Sequence, residues 1–325
     1  MACFSIISSS PKHPANGPIR TKAHSKMAIR IIGCVAPMRQ EDDPVVYAMF
    51  MPVLVTGASG FIGAHVVCEL LARGYSVRAM LRDTSLSNIF PDNDNLEIVK
   101  ADLFDVDSLK KAVEGCEDVI HCAAALYVGA KDVKRDVVDP SVIGVQNLCS
   151  VMENVKRIIH TSSVAAIRSS KFENGKTFTN KDWCDDASET SNAYGFAKAE
   201  AEKIIREWAS SRDIRLVTIH PSIVFGPILH KRHLEGSMSY LKHFVKGPPF
   251  VLDVHINFVD VRDVAIAHVN ALDKGENGHR YIIHKEGLWM KEIGKILNSV
   301  TRLTLDNPIA SRFRFNLSSV LPNSA

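Results

Sequence analysis

The stretch VLVTGASGFIG, residues 53–63, joins a short apolar run to a glycine-rich loop and then to the start of an amphipathic segment. In a strand, loop and helix context, Gly57 permits a tight turn, Gly60 lets the backbone approach a pyrophosphate, and Gly63 allows close helix packing. Amides at the start of such a helix face negative charge, which the helix dipole favours. The stretch therefore predicts a dinucleotide-binding turn. Its candidate ligand contacts are Gly57, Ser59, Gly60, Phe61, Ile62 and Gly63.

Downstream of this loop, short apolar runs alternate with segments of helical period, which predicts a parallel sheet with helices between its strands. The predicted strands are 53–55, 76–81, 96–100, 118–122, 157–161 and 214–219. Asp139, followed by a proline, is predicted to cap a helix that runs to about Asn154, and Ser191 to cap one over 192–208. The predicted fold class is α/β: a doubly wound parallel sheet, or Rossmann fold, with a smaller C-terminal substrate lobe.

We divide the chain into an extension, a nucleotide-binding domain and a lobe. Residues 1–48 have no hydrophobic period and are predicted to be disordered. Residues 49–227 form the predicted Rossmann domain, to which 255–273 return, while 228–254 and 274–325 form the substrate lobe. Residues 1–40 of the extension contain six basic residues and no acidic one, a composition compatible with an organelle transit peptide. We favour a dispensable tail, or upstream sequence joined to a protein that starts at Met49 or Met51.

Composition limits the function classes. A net charge of +3 over 325 residues is too small to indicate nucleic acid or an anionic membrane as the main partner, so a small molecule is favoured. The seven scattered cysteines form no C-x-x-C pair, which indicates reduced thiols and argues against a zinc site. No apolar run approaches the roughly 18 residues that a membrane span needs. We expect a cytoplasmic protein without a metal or a membrane span, either a monomer or a homodimer.

The end of the second predicted strand indicates which dinucleotide is bound. Arg82 stands 25 residues after Gly57, where the adenine ribose of a bound dinucleotide lies. An NAD site usually has a carboxylate there, whereas an arginine suits the 2′-phosphate of NADP. Asp83 is a possible ribose partner but lies two residues past the usual place, and we expect it to cap the next turn. NADP(H) is therefore predicted over NAD(H). The further predicted contacts after strands three and four are Asp102, Leu103 and Ala123.

Three residues form a candidate catalytic set. Tyr194 and Lys198 are spaced i, i+4 and share one helix face, while Ser163 follows a strand end 31 residues before Tyr194. A phenol with a pKa near 10 needs a nearby cation to act as an acid or base at neutral pH. We predict Tyr194 as general acid to a carbonyl oxygen, Ser163 as hydrogen-bond donor, and Lys198 as ribose ligand and as the cation that lowers the pKa of Tyr194. An incidental tyrosine would explain the pair alone better, but not the three residues in this order.

The chain resembles the extended short-chain dehydrogenase/reductases, and within them the dihydroflavonol-reductase-like branch. The motifs that carry the resemblance are VTGASGFIG (55–63), RD (82–83), ADL (101–103), HCAA (121–124), TSSVAA (161–166), YGFAK (194–198), HPSIVFGP (220–227) and NFVDVRDVA (257–265). The resemblance implies that Pro221, Ser222 and Val224 line the nicotinamide pocket. Arg168 stands where plant dihydroflavonol reductases carry an asparagine that touches the flavonoid, which counts against a flavonoid substrate.

The expected activity is NADP(H)-dependent reduction of a carbonyl to an alcohol, or the reverse, on an aldehyde, ketone, flavonoid-like or steroid-like compound. A nucleotide-sugar epimerase or dehydratase is an alternative, but such enzymes mostly use NAD, and Arg82 counts against that. A non-catalytic dinucleotide sensor is another alternative, although it would be expected to have lost Tyr194 or Lys198. The basic run 230–233 could select an anionic substrate, but we favour a solvated loop.

Overall fold

The computed structural model of the chain describes residues 51–123, 132–171, 175–240, 251–252, 255–301 and 314–315. The predicted disorder of residues 1–48 lies outside this described part, as do most of the C-terminal residues beyond 301.

Seven parallel strands form the central sheet. They are β1 (Val53–Thr56), β2 (Val77–Leu81), β3 (Leu96–Lys100), β4 (Asp118–His121), β5 (Arg157–Thr161), β6 (Arg215–Pro221) and β10 (Arg280–Ile283). Their spatial order is β3-β2-β1-β4-β5-β6-β10, so the strand order reverses at β1 and β4. The predicted doubly wound fold is confirmed. Ligands of such sheets bind outside the carboxyl ends of the strands at the point of reversal.

Helices cover both faces of this sheet. They are α1 (Phe61–Ala72), α2 (Val106–Val113), α3 (Asp139–Val151), α4 (Ala193–Ser210) and α5 (Val261–Lys274), followed by α6 (Met290–Thr301) outside the central sheet. Val55 packs with α1 and α5 on one face, while its neighbour Leu54 packs with α2, α3 and α4 on the other. This alternation follows from the two-residue period of a strand, so each strand contributes to two apolar layers. Within the described ranges, none of the helices is long and apolar enough to cross a bilayer.

A second, smaller sheet lies after the Rossmann units. It contains β7 (Ile223–Phe225), β9 (His255–Asp260) and β11 (Glu286–Trp289), with β7 and β9 parallel and β9 and β11 antiparallel. A two-stranded parallel pair joins β8 (Val251–Leu252) to β12 (Arg314–Phe315).

The structure divides the C-terminal half differently from the sequence-based assignment. The segment 274–325 was assigned to the substrate lobe, but it contains β10, which extends the central sheet beside β6. From the returning segment 255–273, β9 joins the small sheet, and α5 packs against α1 and the central sheet. A short strand has the same period in either sheet, so its partners depend on tertiary contacts that the sequence pattern does not contain.

Two predicted N-caps are wrong. Asp139 has helical backbone angles, φ −57° and ψ −45°, because a π-type turn over Lys134–Val138 leads directly into α3. Asn192, and not Ser191, caps α4: its backbone is left-handed at φ 60° and its Oδ1 accepts from Gly195 N at 3.1 Å. Serine and asparagine both suit an N-cap, so the path of the preceding chain determines which of the two residues caps α4.

Candidate active site

The glycine loop packs against the end of β4. Gly57 has φ 66°, and a Cβ added there would lie 2.6 Å from Ala123 Cα, so a side chain at Gly57 would push the two backbones apart. A Cβ on Gly63 would overlap the carbonyl of Gly57. Gly60, the N-cap of α1, has no side chain to accept from the first-turn amides, and that turn contains no acidic residue. These amides are therefore available to an anion, which fits the pyrophosphate of a dinucleotide.

The end of β2 presents an arginine to solvent. Arg82 is exposed, and among the described residues its guanidinium has no hydrogen-bond or ion-pair partner. Asp83 Oδ1 accepts from Ser85 N at 3.0 Å and caps the 3-10 turn Thr84–Ile89, as the sequence predicts. Hydrogen bonds from the Ser85 side chain and from its backbone amide lower the pKa of Asp83 and engage its carboxylate. Arg82 is thus the group at this strand end that remains available to a phosphate.

The predicted contacts after β3 have local partners. Asp102 Oδ1 accepts from Phe104 N at 3.0 Å, and Asp102 N donates to Ser108 Oγ at 3.1 Å. Leu103 packs against α3, where a Cβ added to Gly144 would lie 2.9 Å from Leu103 Cδ1. Both residues therefore shape the turn beside the predicted adenine pocket. Their contact with a nucleotide stays a prediction.

The predicted nicotinamide pocket lies at the ends of β6 and β7. Pro221, Ser222 and Val224 are buried, and Ser222 N donates to Ile283 O at 3.0 Å. Ser222 Oγ is buried without a hydrogen-bond partner, so this hydroxyl is available to a polar group that enters the pocket. Val224 belongs to an apolar cluster that Phe61 and Ile62 of α1 pack against. The small sheet thus adjoins the helix of the glycine loop.

Ser163, Tyr194 and Lys198 come together at the carboxyl end of β5. Ser163 begins the 3-10 turn Val164–Ala166 and accepts from Ala165 N at 3.1 Å. Tyr194, in the first turn of α4, forms a side-chain hydrogen bond with Ser163. Lys198, one turn further along α4, donates from Nζ to the carbonyl oxygen of Thr161 at 3.0 Å. The two elements place a hydroxyl, a phenol and an ammonium side by side.

The electrostatics of this cluster differ from expectation at one point. Burial raises the pKa of Tyr194, Tyr240 adds to this, and the hydrogen bond with Ser163 opposes it. Burial lowers the pKa of Lys198 to about 8, against the nearby Cys122 and Glu202, which raise it. The predicted lowering of the Tyr194 pKa by Lys198 is therefore not seen. The ammonium binds a strand carbonyl instead of the phenol, and burial dominates for both groups.

A buried carboxylate that the sequence analysis did not single out lies behind the catalytic cluster. Glu202 of α4 is 0% exposed and accepts from Ser162 Oγ at 2.8 Å, His220 Nε2 at 2.7 Å, Arg280 Nε at 2.7 Å and Arg206 Nε at 2.9 Å. Burial raises its pKa, but hydrogen bonds from His220 and Arg280 and their charge together hold the pKa well below its usual range. Glu202 therefore joins the ends of β5 and β6 to β10 through one ionised group.

The signal for Glu202 was present in the sequence. It follows Lys198 by four residues, as Lys198 follows Tyr194, so the three share one face of α4. An acidic residue on the face that a helix turns toward a sheet requires a buried partner. Of its partners, Arg206 lies one helical turn away, whereas spacing does not identify Arg280, which lies 78 residues away in the chain.

Comparison with known proteins assigns the chain to a family. The sequence model of the NAD dependent epimerase/dehydratase family matches residues 53–283. The chain belongs to this family. Cinnamoyl-CoA reductase 1 of Petunia hybrida is 31% identical over 257 residues, which is 76% of each chain. Dihydroflavonol 4-reductase of Hordeum vulgare is 34% identical over 192 residues, 55% of this chain and 54% of that protein.

A solved structure extends the likeness to the fold. The yeast methylglyoxal/isovaleraldehyde reductase, crystallised in complex with NADPH, is 29% identical and superposes with a TM-score of 0.71 over 78% of this chain and 83% of its own. These relatives confirm the resemblance to the dihydroflavonol-reductase-like branch of the extended short-chain dehydrogenase/reductases.

Among the described residues of this family member, no group of three His, Cys, Asp or Glu side chains is arranged as metal ligands would be. Two histidines near the site, His65 and His268, are buried. His65 stacks edge-on against Phe61 with ring centroids 5.5 Å apart, and the His268 ring nitrogen Nε2 lies 2.8 Å from Thr161 Oγ1.

We interpreted the basic run 230–233 as a solvated loop, and for His233 this interpretation is wrong. His233 is only 2% exposed, and its Nε2 lies 3.2 Å from Ser59 O in the glycine loop. The loop after β7 therefore reaches the dinucleotide side of the sheet.

Proposed function

We propose that the protein is an NADPH-dependent carbonyl reductase that converts an aldehyde, ketone or related carbonyl compound to an alcohol. The observation that carries the proposal is the hydrogen-bonded pair Ser163 and Tyr194 beside buried Lys198, at the carboxyl end of β5, the neighbour of β4 where the strand order reverses. A carbonyl oxygen placed between the two hydroxyls would meet two donors. Relatives named as reductases support the same chemistry.

The choice of NADPH rests on the end of β2. Arg82 is exposed and has no partner within the described residues, while the neighbouring carboxylate of Asp83 is engaged by Ser85 N. A guanidinium in this position suits a 2′-phosphate, and a ribose hydroxyl would call for a carboxylate. The yeast relative was solved with NADPH.

The residues of the cluster divide the work of the reduction. When bound, the dinucleotide supplies the hydride. Tyr194 gives its proton to the carbonyl oxygen, and its raised pKa keeps the phenol protonated at neutral pH. Ser163 donates a hydrogen bond to the same oxygen as negative charge develops on it. Lys198, with a pKa of about 8, is mostly cationic at neutral pH and offsets the charge left on Tyr194.

Exposed apolar side chains after β7 support a substrate with an apolar or aromatic body. Four large apolar side chains in the segment after β7 are exposed: Ile228, Leu229, Leu234 and Tyr240. Tyr240 lies close enough to act electrostatically on Tyr194. Exposed apolar groups of this kind gain free energy when a ligand covers them. Arg168 is exposed, and its charge at the predicted flavonoid-contact position makes a flavonoid a poorer candidate.

The experiment is a cofactor-oxidation screen. The purified chain is incubated with NADPH and a panel of aliphatic and aromatic aldehydes, ketones, a cinnamoyl thioester, flavonoids and 3-ketosteroids, and the loss of NADPH absorbance is followed. A UDP-sugar epimerisation assay runs beside it. We expect NADPH consumption with at least one apolar carbonyl compound and none with the UDP-sugar. Turnover of the UDP-sugar without net NADPH consumption would overturn the reductase proposal.

A further inference from the structure

The 3-10 turn Lys231–Leu234 has a buried anchor that the proposed reaction does not use. Leu229 N donates to His233 Nδ1 at 3.3 Å, so this ring nitrogen must be an acceptor. The ring proton therefore sits on Nε2, which donates to Ser59 O at 3.2 Å. Burial lowers the pKa of His233, which keeps this neutral tautomer in place at neutral pH.

The anchor attaches the turn to the glycine loop itself. The His233 ring lies 5.7 Å from the Phe61 ring, and Phe61 is the first residue of α1. Ser59 and Phe61 flank Gly60, whose amide region faces a bound pyrophosphate in our proposal. The turn is therefore held beside the dinucleotide path, although it follows the glycine loop by more than 170 residues in the chain.

The residue before the anchor, Arg232, is a cation that acts electrostatically on a residue at the end of β2. Arg232 N donates to His230 Nδ1 at 3.2 Å, which fixes the backbone of the turn. The charge of Arg232 contributes to the lowered pKa of Asp83, after the hydrogen bonds from Ser85, so the guanidinium lies within electrostatic reach of this carboxylate. It is half-buried and makes no ion pair with any residue in the described ranges.

The end of β2 offers few other cations. The turn that follows Arg82, residues 84–89, reads TSLSNI and contains none. Lys100 at the end of β3 also acts on Asp83, and it is exposed. A phosphate dianion has three oxygens that can accept charge-assisted hydrogen bonds, more than one guanidinium can satisfy. A second cation, on a different element from Arg82, would supply donors to the remaining phosphate oxygens.

We infer that Arg232 is a second cationic ligand of the 2′-phosphate of NADPH, held in place by the His233 bond to the glycine loop. The inference rests on the proposed function, since it requires that the cofactor be NADPH. It assigns a role in cofactor selection to the turn Lys231–Leu234, which follows β6 and β7 in the chain. Arg82 and Arg232 would approach the phosphate from two separate elements.

The test is isothermal titration with NADPH, with NADH and with 2′,5′-ADP, which isolates the 2′-phosphate. Arg232→Ala should weaken NADPH and 2′,5′-ADP by about tenfold or more, the lower end for a charge-assisted hydrogen bond. NADH affinity should be nearly unchanged. Lys231→Ala is the matched control, because it removes the same charge from the adjacent exposed position and should leave all three affinities within about twofold of wild type.

The outcomes separate this inference from the proposed function. A wild type that prefers NADH, or binds neither dinucleotide, would contradict the proposed function. A wild type that prefers NADPH, with an Arg232→Ala variant that binds all three ligands normally, would overturn the inference alone. Equal losses of NADPH and NADH would also overturn it, since they would give Arg232 a general role in shaping the loop. Equal losses of NADPH affinity in Lys231→Ala and Arg232→Ala would also overturn the inference, because they would show only a long-range effect of charge.

Discussion

Replacement of the buried carboxylate Glu202 by glutamine tests how the site is held together. Glu202 is 0% exposed, and Arg280, its partner from β10, is only 6% exposed. Glutamine keeps the volume and one acceptor but leaves the guanidinium of Arg280 without a counter-charge. Removing one partner of a buried ion pair costs about 3 to 5 kcal/mol. Arg280 keeps its hydrogen bonds to the backbone carbonyls of Asn180 and Asp182, so we expect the lower end of this range, a loss of about 3 kcal/mol of unfolding free energy.

The measurement is thermal and urea unfolding followed by circular dichroism at neutral pH. For a domain of this size class, a loss of about 3 kcal/mol corresponds to a fall in Tm of roughly 6 to 12 °C. Since the folded pKa of Glu202 lies below its unfolded value, its stabilising contribution is present above the unfolded pKa and is lost as the pH falls through the folded pKa. Neutral pH therefore measures the full contribution.

Glu200→Gln is the matched control, since Glu200 lies two residues away on the same helix. Its carboxylate pairs with Lys203 at 3.1 Å and its side chain is 35% exposed. A partly exposed pair of this kind contributes at most about 1 kcal/mol. If the unfolding free energies of the two variants differ by less than about 0.5 kcal/mol, the argument that buried, charged Glu202 stabilises the fold is refuted.

Three further predictions concern the reaction. Tyr194→Phe should lower turnover by roughly 10²- to 10⁴-fold with NADPH binding nearly unchanged, because only the general acid is lost; Tyr75→Phe, remote from the cluster, is the control, and near-normal turnover in Tyr194→Phe would exclude the phenol as the acid. Arg82→Ala should weaken NADPH by roughly 10- to 150-fold and leave NADH nearly unchanged, measured by isothermal titration; equal losses of both would instead indicate a folding role. Because the lowered pKa of Lys198 is about 8, its charge is present below that pH and lost above it, so the rate of carbonyl reduction should fall as the pH rises through about 8. A rate that stays flat well above pH 8 would contradict this, and Lys198→Arg, which keeps its charge, should shift the fall upward if it folds.

Local pattern was sufficient for the frame of the fold and for the reacting groups. The alternation of short apolar runs with segments of helical period predicted the βα order, and the glycine spacing at 57, 60 and 63 predicted the nucleotide loop, because each depends on residues close in the chain. The spacing of Tyr194 and Lys198 placed both on one face of a helix for the same reason. Ser163 joined them because the ends of parallel strands meet at one edge of a sheet.

Long-range contacts decided what lay beyond that frame. The pairing of β10 with β6, the contacts of Glu202 with His220 and Arg280, and the burial of His233 against Ser59 all join residues far apart in the chain, so no short window of sequence contains them. The direction of the Tyr194 pKa was also decided by tertiary structure. Charge type and spacing suggested that Lys198 would lower it, but burial, which only the folded packing determines, raises it. The sequence by itself determined which chemical groups are present and which share an element. The packing of distant elements determined the partners of these groups, their exposure to solvent and therefore their charge.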